Sequence, residues 1–251
     1  MTQTTLDADL VPAPPPAGGG AEHTWMQHAG PRTTLRVGVP NTGRLFELSG
    51  RLLSLILPFR WNGRGLLFRV SEEVEVLRAR STDLPHLLAH GIVDVAVTGS
   101  DYAYESGEDV VEAGDLGLIS GRLCLLTASG KMPEGGAEPF RISTQYPRYA
   151  AAYTAREGLH ARVLVVTGAG ELYPQIGLAE ASLDMVVTGE TRRQNGLRIA
   201  AEVAQVWTGV YLARELAPAL RGPAEELATA LLRCRRSPEG ERELEEAGWT
   251  G

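Results

Sequence analysis

The chain alternates between two hydrophobic periods. Short apolar runs of strand length are separated by segments whose apolar residues recur every three or four positions, from residue 35 to about residue 247. These periods are typical of buried strands and of amphipathic helices, respectively. The predicted strands are residues 35–39, 66–70, 74–77, 92–97, 123–127, 140–143, 163–166 and 183–187, with two more in 197–212. The predicted helices are residues 44–57, 83–90, 148–157, 172–178, 223–234 and 238–247. Strands that alternate with helices predict an α/β fold with mostly parallel sheets.

The first 34 residues lack this periodicity. They contain the runs PAPPP and GGG, which disfavour a packed core. We therefore predict that residues 1–34 form a disordered tail outside the fold.

An internal repeat divides the rest of the chain. The segments GIVDVAVTGSD at residues 91–101 and ASLDMVVTGET at residues 181–191 share the pattern D-x-x-V-T-G. Two copies of one unit predict two related α/β lobes. In such proteins a ligand binds in the cleft between the lobes, beyond the carboxyl ends of the strands.

The second copy has the composition of a sugar-phosphate site. A predicted buried strand carrying Asp184 runs into Thr188, Gly189, Glu190 and Thr191, and a helix-compatible segment follows. Backbone amides at a helix start, with threonine hydroxyls, favour an anion, and a carboxylate can accept hydrogen bonds from ribose hydroxyls. The alternative is an ordinary capped turn, which is common in α/β proteins.

The first copy differs from the second in charge. It ends in Asp101 and is followed by the acids Glu105, Glu108 and Asp109, whereas the second continues with Arg192. Negative charge repels phosphate, so electrostatics assigns the phosphate to the second copy. The first copy is expected to bind neutral donors or simply to pack.

Two further turns are candidates for ligand contact. Arg44 follows Thr42 and Gly43 at the start of a predicted helix, where a cation is unfavourable unless an anion lies nearby. A solvated surface arginine is the alternative. The second turn consists of Gly168, Ala169, Gly170 and Glu171, and Glu171 is expected either to cap the following helix or to bind a ligand.

Composition excludes some classes of function. The net charge of −7 argues against a general nucleic-acid or anionic-membrane surface, and no apolar run reaches membrane-spanning length. The chain has 2 cysteines without metal-ligand spacing, which favours a reducing compartment such as the cytoplasm.

Five ordered blocks resemble a known family. The segments LRVGVPNTGRL, RSTDLPHLLAHGIVDVAVTGSD, GRLCLLTASG, RISTQYPRY and GAGELYPQIGLAEASLDMVVTGETRRQNGL follow the order of ATP phosphoribosyltransferase, the first enzyme of histidine biosynthesis. The resemblance covers residues 35–212. It implies the two-lobed fold of type II periplasmic binding proteins, with lobe I formed by residues 35–121 and 209–251 and lobe II by residues 122–208.

The resemblance also implies a reaction and its site. The ribose phosphate of phosphoribosyl diphosphate would be transferred to N1 of ATP with Mg²⁺, and diphosphate would be released. Asp184 would bind the ribose hydroxyls and residues 188–191 the 5′-phosphate. Arg44, Arg80 and the turn at residues 168–171 would line the rest of the cleft, with Arg44, Arg80 and Asp184 as the catalytic residues and Thr42 and Gly43 beside the acceptor and diphosphate.

Three departures from the family pattern leave the acceptor open. Thr42 stands where the family usually has lysine, Arg192 replaces an apolar residue, and Arg148 replaces an asparagine. A different nitrogen-heterocycle acceptor is therefore the first alternative, and a non-catalytic binding module is the second.

The resemblance further implies the short form of the family, because few residues follow position 212. Short forms resemble catalytic subunits that work with a regulatory subunit similar to a histidyl-tRNA synthetase. We expect a homo-oligomer, with such a subunit as a candidate partner.

Overall fold

The computed structural model describes residues 32–58, 65–134, 136–187 and 196–249. The chain divides into two compact units, Met1–Arg32 and Thr33–Gly251. Of the predicted tail, residues 1–34, all but the last three lie outside the described residues, and the first strand begins at Leu35 as predicted.

The second unit is built on one mixed sheet of nine described strands in the order β2-β3-β1-β4-β9-β5-β8-β6-β7. The strands are β1 (Leu35–Pro40), β2 (Leu67–Arg69), β3 (Val74–Ala79), β4 (Val95–Gly99), β5 (Val110–Thr127), β6 (Phe140–Thr144), β7 (Ala161–Val165), β8 (Ala181–Val186) and β9 (Arg198–Ala213). The described helices are α1 (Gly43–Ile56), α2 (Leu84–Ala89), α3 (Ser100–Ser106), α4 (Pro147–Arg156), α5 (Leu172–Gln175), α6 (Pro218–Arg235) and α7 (Pro238–Glu246).

The α/β class is confirmed, but the prediction of mostly parallel sheets is wrong. Strands β3, β1 and β4 are parallel to one another, as are β7, β6 and β8. Four other pairings between described strands are antiparallel, namely β2–β3, β4–β9, β5–β8 and β5–β9. Strands β5 and β9 join the two parallel groups.

The lengths of β5 and β9 were also not predicted. Strand β5 begins at Val110, well before the predicted strand at residue 123, and residues 198–213 form one strand instead of two. The two strands pair from Val110↔Ala213 to Thr127↔Arg198 with four shifts of register. At the largest shift, between Asp115 and Ser120, the hydroxyl of Thr208 donates to the carbonyl of Ile119 at 3.1 Å. Such bulges break the strict alternation that identifies a strand in sequence.

The helices begin mostly where the apolar period predicts. Helix α1 buries Leu48, Leu52 and Leu53 on one face, which is the expected result of apolar residues at helical spacing. Helix α6 differs, because it begins at Pro218 and contains Pro223 inside its second turn. Helix α5 is only four residues long.

Two large apolar clusters form the core. The first packs α1 and α6 against β1, β4 and part of β5, with Val37, Leu52 and Leu231 fully buried. The second packs α4 against β5, β6 and β8, with Leu123, Ile142 and Leu183 buried. Several of the functional candidates follow the carboxyl ends of β1, β4 and β8.

Candidate functional site

Residues of both D-x-x-V-T-G copies line one cavity of about 280 Å³. Gly99 and Asp101 contribute from the first copy, Tyr102 comes directly after it, and Met185 and Val187 contribute from the second copy. The sequence repeat therefore corresponds to two strand ends that share a common cavity. Val206, Trp207 and Thr208 of β9 complete that wall of the cavity.

The turn between β1 and α1 forms the polar rim of the cavity. Thr42 and Arg44 both line it. Thr42 is the N-cap of α1 but makes no side-chain cap hydrogen bond, and Gly43 has the positive φ of 79° that favours glycine. The Arg44 guanidinium pairs with Glu47 at 3.3 Å, with 39% and 61% of these side chains exposed. An exposed pair of this kind is weak, so an anionic ligand can compete for Arg44.

Asp184 is paired with a second carboxyl group. It lies in β8, half-buried, and its Oδ1 accepts a hydrogen bond from the backbone N–H of Met185 at 2.7 Å. Burial, and next the hydrogen bond and negative charge of Glu171, raise the pKa of Asp184 to about 6. Asp184 is not itself among the residues that line the cavity, but the next residue along β8, Met185, is. Two facing carboxyls favour ligands that bring hydroxyl donors or positive charge.

The turn at residues 168–171 is held to strand β6 by a hydrogen bond. The Ser143 hydroxyl donates to the carbonyl of Gly170 at 2.8 Å, and a Cβ on Gly170 would lie 3.1 Å from Ser182 Oγ. Gly168 and Ala169 are exposed. Glu171 occupies the N-cap of α5 without a cap hydrogen bond, so the capping alternative is wrong and its carboxyl faces Asp184 instead.

Of two other predicted parts of the site, one is not among the lining residues and one lies outside the described residues. Arg80 is exposed in the turn after β3, and its carbonyl accepts the amide of Asp83 at 2.9 Å. The next residue, Ser81, lines the cavity, whereas Arg80 is not among the lining residues. Thr188, Gly189, Glu190 and Thr191 lie outside the described residues, as does Arg192.

The acid at the end of the first copy accepts a hydrogen bond from within the protein. Asp101 is 2% exposed, and its Oδ2 accepts a hydrogen bond from the Tyr146 hydroxyl at 3.0 Å. Burial is the largest cause that raises the pKa of Asp101, and the bond from Tyr146 opposes it. Asp94 binds the backbone N–H of Arg36 at 2.7 Å and has a structural role in joining β1 to β4.

Sequence reasoning missed the aromatic residues of the cavity. Tyr102 stacks on Tyr146 with ring centroids 6.2 Å apart, and Trp207 forms part of the wall from β9. Neither Tyr102 nor Trp207 belongs to a recognisable motif. The only signal in the sequence for Tyr102 is its position directly after the first D-x-x-V-T-G copy.

Acidic groups are the candidates for holding a metal. Within the described ranges, no group of three or more His, Cys, Asp or Glu residues is arranged to hold an ion. The Asp184–Glu171 pair offers two carboxyls, which suits an ion that takes its other ligands from substrate phosphates and water.

In the described part of the chain, no helix combines the length and apolarity needed to cross a membrane.

Comparison with solved structures supports the fold. The chain superposes on the ATP phosphoribosyltransferase HisG:HisZ complex of Thermotoga maritima with a TM-score of 0.70 at 24% identity, over 81% of this chain and 99% of that one. The alkanesulfonate-binding protein SsuA of Xanthomonas axonopodis pv. citri gives a TM-score of 0.52 at 16% identity, over 88% of this chain and 82% of that one. The expected type II periplasmic-binding-protein fold is confirmed.

Comparison by sequence gives the family. An ATP phosphoribosyltransferase from Pyrobaculum neutrophilum is 38% identical over 67% of this chain and 62% of its own length. One from Rhodopirellula baltica is 32% identical over 86% of this chain and 72% of its own. The chain thus spans about three fifths of the first of these relatives, and the same is true of the Metallosphaera sedula enzyme, matched over 60% of its length.

A model of the HisG family, described as ATP phosphoribosyltransferase, matches residues 80–232, which include both D-x-x-V-T-G copies. Because this match covers more than half of the chain and curated relatives exceed 30% identity, the chain belongs to the ATP phosphoribosyltransferase family.

Proposed function

We propose that this protein transfers the ribose 5-phosphate of phosphoribosyl diphosphate to N1 of ATP, releases diphosphate, and so catalyses the first step of histidine biosynthesis. One observation carries the proposal in this chain. Residues of both D-x-x-V-T-G copies line one cavity with Arg44 at its rim, and Asp184, with Glu171 as its partner, is the chain neighbour of the lining residue Met185. A ribose-phosphate donor and a flat acceptor need these chemistries side by side.

The ribose is held by the carboxyl pair in this proposal. Ionised Asp184 and Glu171 accept hydrogen bonds from the two ring hydroxyls, and these donors reduce the repulsion between the carboxyls. The acceptor nitrogen then bonds to C1 of the ribose as the bond from C1 to the diphosphate oxygen breaks. The diphosphate leaves with that electron pair. The negative pair also lies near the positive charge that develops on the ribose ring.

Two parts of the site are assigned to the phosphates of the substrates. We assign the 5′-phosphate to Thr188, Gly189, Glu190 and Thr191, on the sequence pattern. For the diphosphate and acceptor side, the support is the uncapped start of α1 at Thr42 and the exposed guanidinium of Arg44. Amide groups at a helix start and a nearby arginine are suited to phosphate. Arg80 is assigned the same role, as a long side chain next to the lining residue Ser81.

We propose Mg²⁺ as the cofactor. The residues that would hold it are Asp184 and Glu171, since paired carboxyls of like charge suit a divalent cation bound together with substrate phosphates. Bound there, Mg²⁺ would offset the charge of the departing diphosphate.

We also propose that the cavity lies between two lobes, formed by residues 35–121 with 209–251 and by residues 122–208. The two large core clusters support this division, because one is centred on α1 and α6 and the other on α4 and β6. Strands β5 and β9 are the connection between the lobes in this arrangement.

Thr42 favours a second candidate, a phosphoribosyltransferase with a different nitrogen-heterocycle acceptor. Thr42 lines the cavity at the position where the family usually carries lysine. A threonine cannot make the charge-assisted contact of a lysine with an acceptor triphosphate, a contact worth about 1.5–3 kcal/mol. An acceptor with less negative charge would lose less binding free energy from the replacement of lysine by threonine.

A separate regulatory subunit is part of the proposal. The support is that the chain covers 99% of the matched chain in the Thermotoga maritima HisG:HisZ complex. Turnover by the purified chain alone, compared with turnover after addition of a HisZ-type protein, tests the requirement. Size-exclusion chromatography with light scattering of the lone chain tests the expected homo-oligomer.

Diphosphate release measures the proposed activity directly. The purified protein is incubated with phosphoribosyl diphosphate, Mg²⁺ and either ATP or a panel of other nitrogen heterocycles. We expect release with ATP and growth of a histidine auxotroph that carries the gene. Release with another heterocycle and not with ATP supports the second candidate. If none of the acceptors gives diphosphate release, even in the presence of a HisZ-type protein, both candidate functions are contradicted.

The phosphate assignment has its own test. Thr188→Asp places a negative charge where the 5′-phosphate is assigned, so calorimetric titration should show no binding of phosphoribosyl diphosphate. Thr229→Asp, on the exposed face of α6, is the control and should bind normally. Unaltered affinity in Thr188→Asp contradicts the assigned loop.

A further inference from the structure

Trp207 is a cavity-lining residue whose ring is fixed in place. Its indole Nε1–H donates to Glu112 Oε1 at 2.8 Å, and its backbone N–H donates to the Ser100 hydroxyl at 3.0 Å. The first bond holds the edge of the ring and the second holds the strand that carries it. Rotation of the indole would break the bond to Glu112, a charge-assisted contact.

Hydrogen bonding leaves Trp207 with only an apolar surface to offer a ligand. Indole has a single N–H donor and no acceptor, and Glu112 already binds that donor. With that donor bound, the side chain of Trp207 can recognise a ligand only through its aromatic ring. Aromatic rings bind other flat rings best in stacked or edge-on arrangements.

The other side chains around the cavity fit a flat ring. Leu45, Met185 and Val206 are apolar lining residues, and Met185 brings a polarisable sulfur. The charged lining residues are Arg44 at the rim and Asp101, whose carboxylate already accepts the Tyr146 hydroxyl. The interior thus suits a neutral heteroaromatic ring, and the rim suits an anionic substituent on that ring.

The backbone of β9 fixes the position of Trp207 relative to both copies of the repeat. Trp207 pairs with Ser120 of β5, directly after the largest register shift between the two strands. The neighbouring Thr208 pairs with Gly99 at the end of the first copy. Trp207 therefore lies on a strand that pairs with the first copy. The cavity that it lines also contains Met185 and Val187 of the second copy.

We propose that Trp207 is a specificity-determining residue that stacks on the nitrogen heterocycle of the acceptor. This inference rests on the proposed function and assigns the acceptor ring to the wall formed by Trp207. The ring stacks on the indole face, and Arg44 receives the phosphate carried by the acceptor. The ribose donor lies on the side of Asp184 and does not contact the indole.

Steady-state kinetics separate this role from a general structural one. In Trp207→Ala we expect the KM for the acceptor to rise about 5- to 100-fold, the range for loss of one base–aromatic stack. The KM for phosphoribosyl diphosphate should change less than about twofold. Trp207→Phe keeps a stacking ring and should restore most of the acceptor affinity. Equal rises in both KM values, or no rescue by phenylalanine, overturn the proposal.

Tryptophan fluorescence gives a readout that needs no turnover. ATP, GTP and smaller nitrogen heterocycles are titrated into the protein in the presence of diphosphate and Mg²⁺. We expect quenching in the wild type and loss of that quenching in Trp207→Phe. Trp249→Phe is the matched control, because that indole donates to the carbonyl of Leu118 at 2.7 Å and does not line the cavity. It should retain the quenching.

The two experiments distinguish the possible failures. If the wild type releases no diphosphate with any acceptor, the proposed function fails. The role of Trp207 in binding a flat ring is then still supported if a heterocycle quenches tryptophan fluorescence in the wild type and not in Trp207→Phe. If no heterocycle in the panel quenches the fluorescence of Trp207 while turnover is normal, this inference fails and the proposed function stands.

Discussion

The hydroxyl of Tyr146 donates to the buried carboxylate of Asp101 at 3.0 Å, across 45 positions of sequence. Asp101 ends the first copy of the repeat and lies in the first turn of α3, and Tyr146 is the N-cap residue of α4. The bond supplies the acidic end of the first copy with a neutral donor. It also links α3, which contributes to the cavity lining, to the start of α4.

Removal of this donor should destabilise the protein. In Tyr146→Phe, Asp101 keeps its burial and loses a partner, so we expect the free energy of unfolding at neutral pH to fall by about 1–3 kcal/mol. The loss should shrink at acid pH, where Asp101 becomes protonated. Urea denaturation at several pH values measures it. Tyr153→Phe on α4 is the control, because its hydroxyl makes no hydrogen bond recorded among the described residues, and it should change stability little.

Glu105 stabilises the start of α4 from a neighbouring helix. Its two carboxylate oxygens accept the backbone N–H groups of Arg148 at 2.7 Å and Tyr149 at 3.1 Å. We expect Glu105→Ala to lower the free energy of unfolding by about 1–2 kcal/mol, the usual cost of losing a helix cap. Thermal and urea unfolding measure the change.

Glu157, at the C-cap of α4, is the matched control for Glu105. Negative charge is unfavourable at a helix C-terminus, so Glu157→Ala removes the same charge and should be neutral or slightly stabilising. Similar losses in both variants would show that the cap of α4 is not the cause.

Asp184 should make stability depend on pH in an unusual direction for an acid. Its folded pKa, about 6, lies above its ordinary value of 3.8, so the folded protein retains a proton that the unfolded chain releases. The resulting stabilisation is full below about pH 4 and is lost as the pH rises through 6. Relative to Asp184→Asn, the wild type should therefore lose stability between these values in denaturant titrations.

Glu180 provides the control of opposite sign. Hydrogen bonds from Arg141 hold the pKa of Glu180 at about 2, below its ordinary value of 4.5. Its stabilisation is present above pH 4.5 and is lost as the pH falls towards 2. Relative to Glu180→Gln, the wild type should lose stability on acidification and show a flat difference above about pH 5. The same sign in both variants would contradict the Asp184 assignment.

Gly240 in α7 packs directly against backbone. A Cβ at this position would overlap the carbonyl oxygen of Cys234, which cannot move without shifting the end of α6. We expect Gly240→Ala to lower the free energy of unfolding by about 3 kcal/mol, at the upper end of the usual cost of overpacking. Guanidinium denaturation measures the loss.

Gly222 in α6 is the control for Gly240, because a Cβ there meets nothing within 4 Å. Alanine gains about 0.5–1 kcal/mol of helix propensity at such a position. The following Pro223 disfavours a helical residue with a Cβ before it, so the net change should be small. A large loss in Gly222→Ala, or none in Gly240→Ala, would contradict the packing argument.

The carboxyl pair illustrates how far sequence reasoning reaches. The apolar period predicted β8, and the motif selected Asp184 as its functional acid. Glu171 was selected as well, but its expected capping role was wrong, because its carboxyl faces Asp184. The pairing depends on how the turn after β7 packs against β8, two strands that both pair with β6, and no local pattern specifies this arrangement.

The sequence by itself determined the alternating strands and helices, the two copies of the repeat and the sign of charge at each. These properties depend on burial period and residue type, which are local. Only the tertiary structure decided that β5 and β9 run continuously, that Tyr146 bonds to Asp101 and that Trp207 lines the cavity. Those relationships join distant residues through bulged strands and packed helices, so they follow from the balance of long-range contacts, which hydrophobic periodicity does not record.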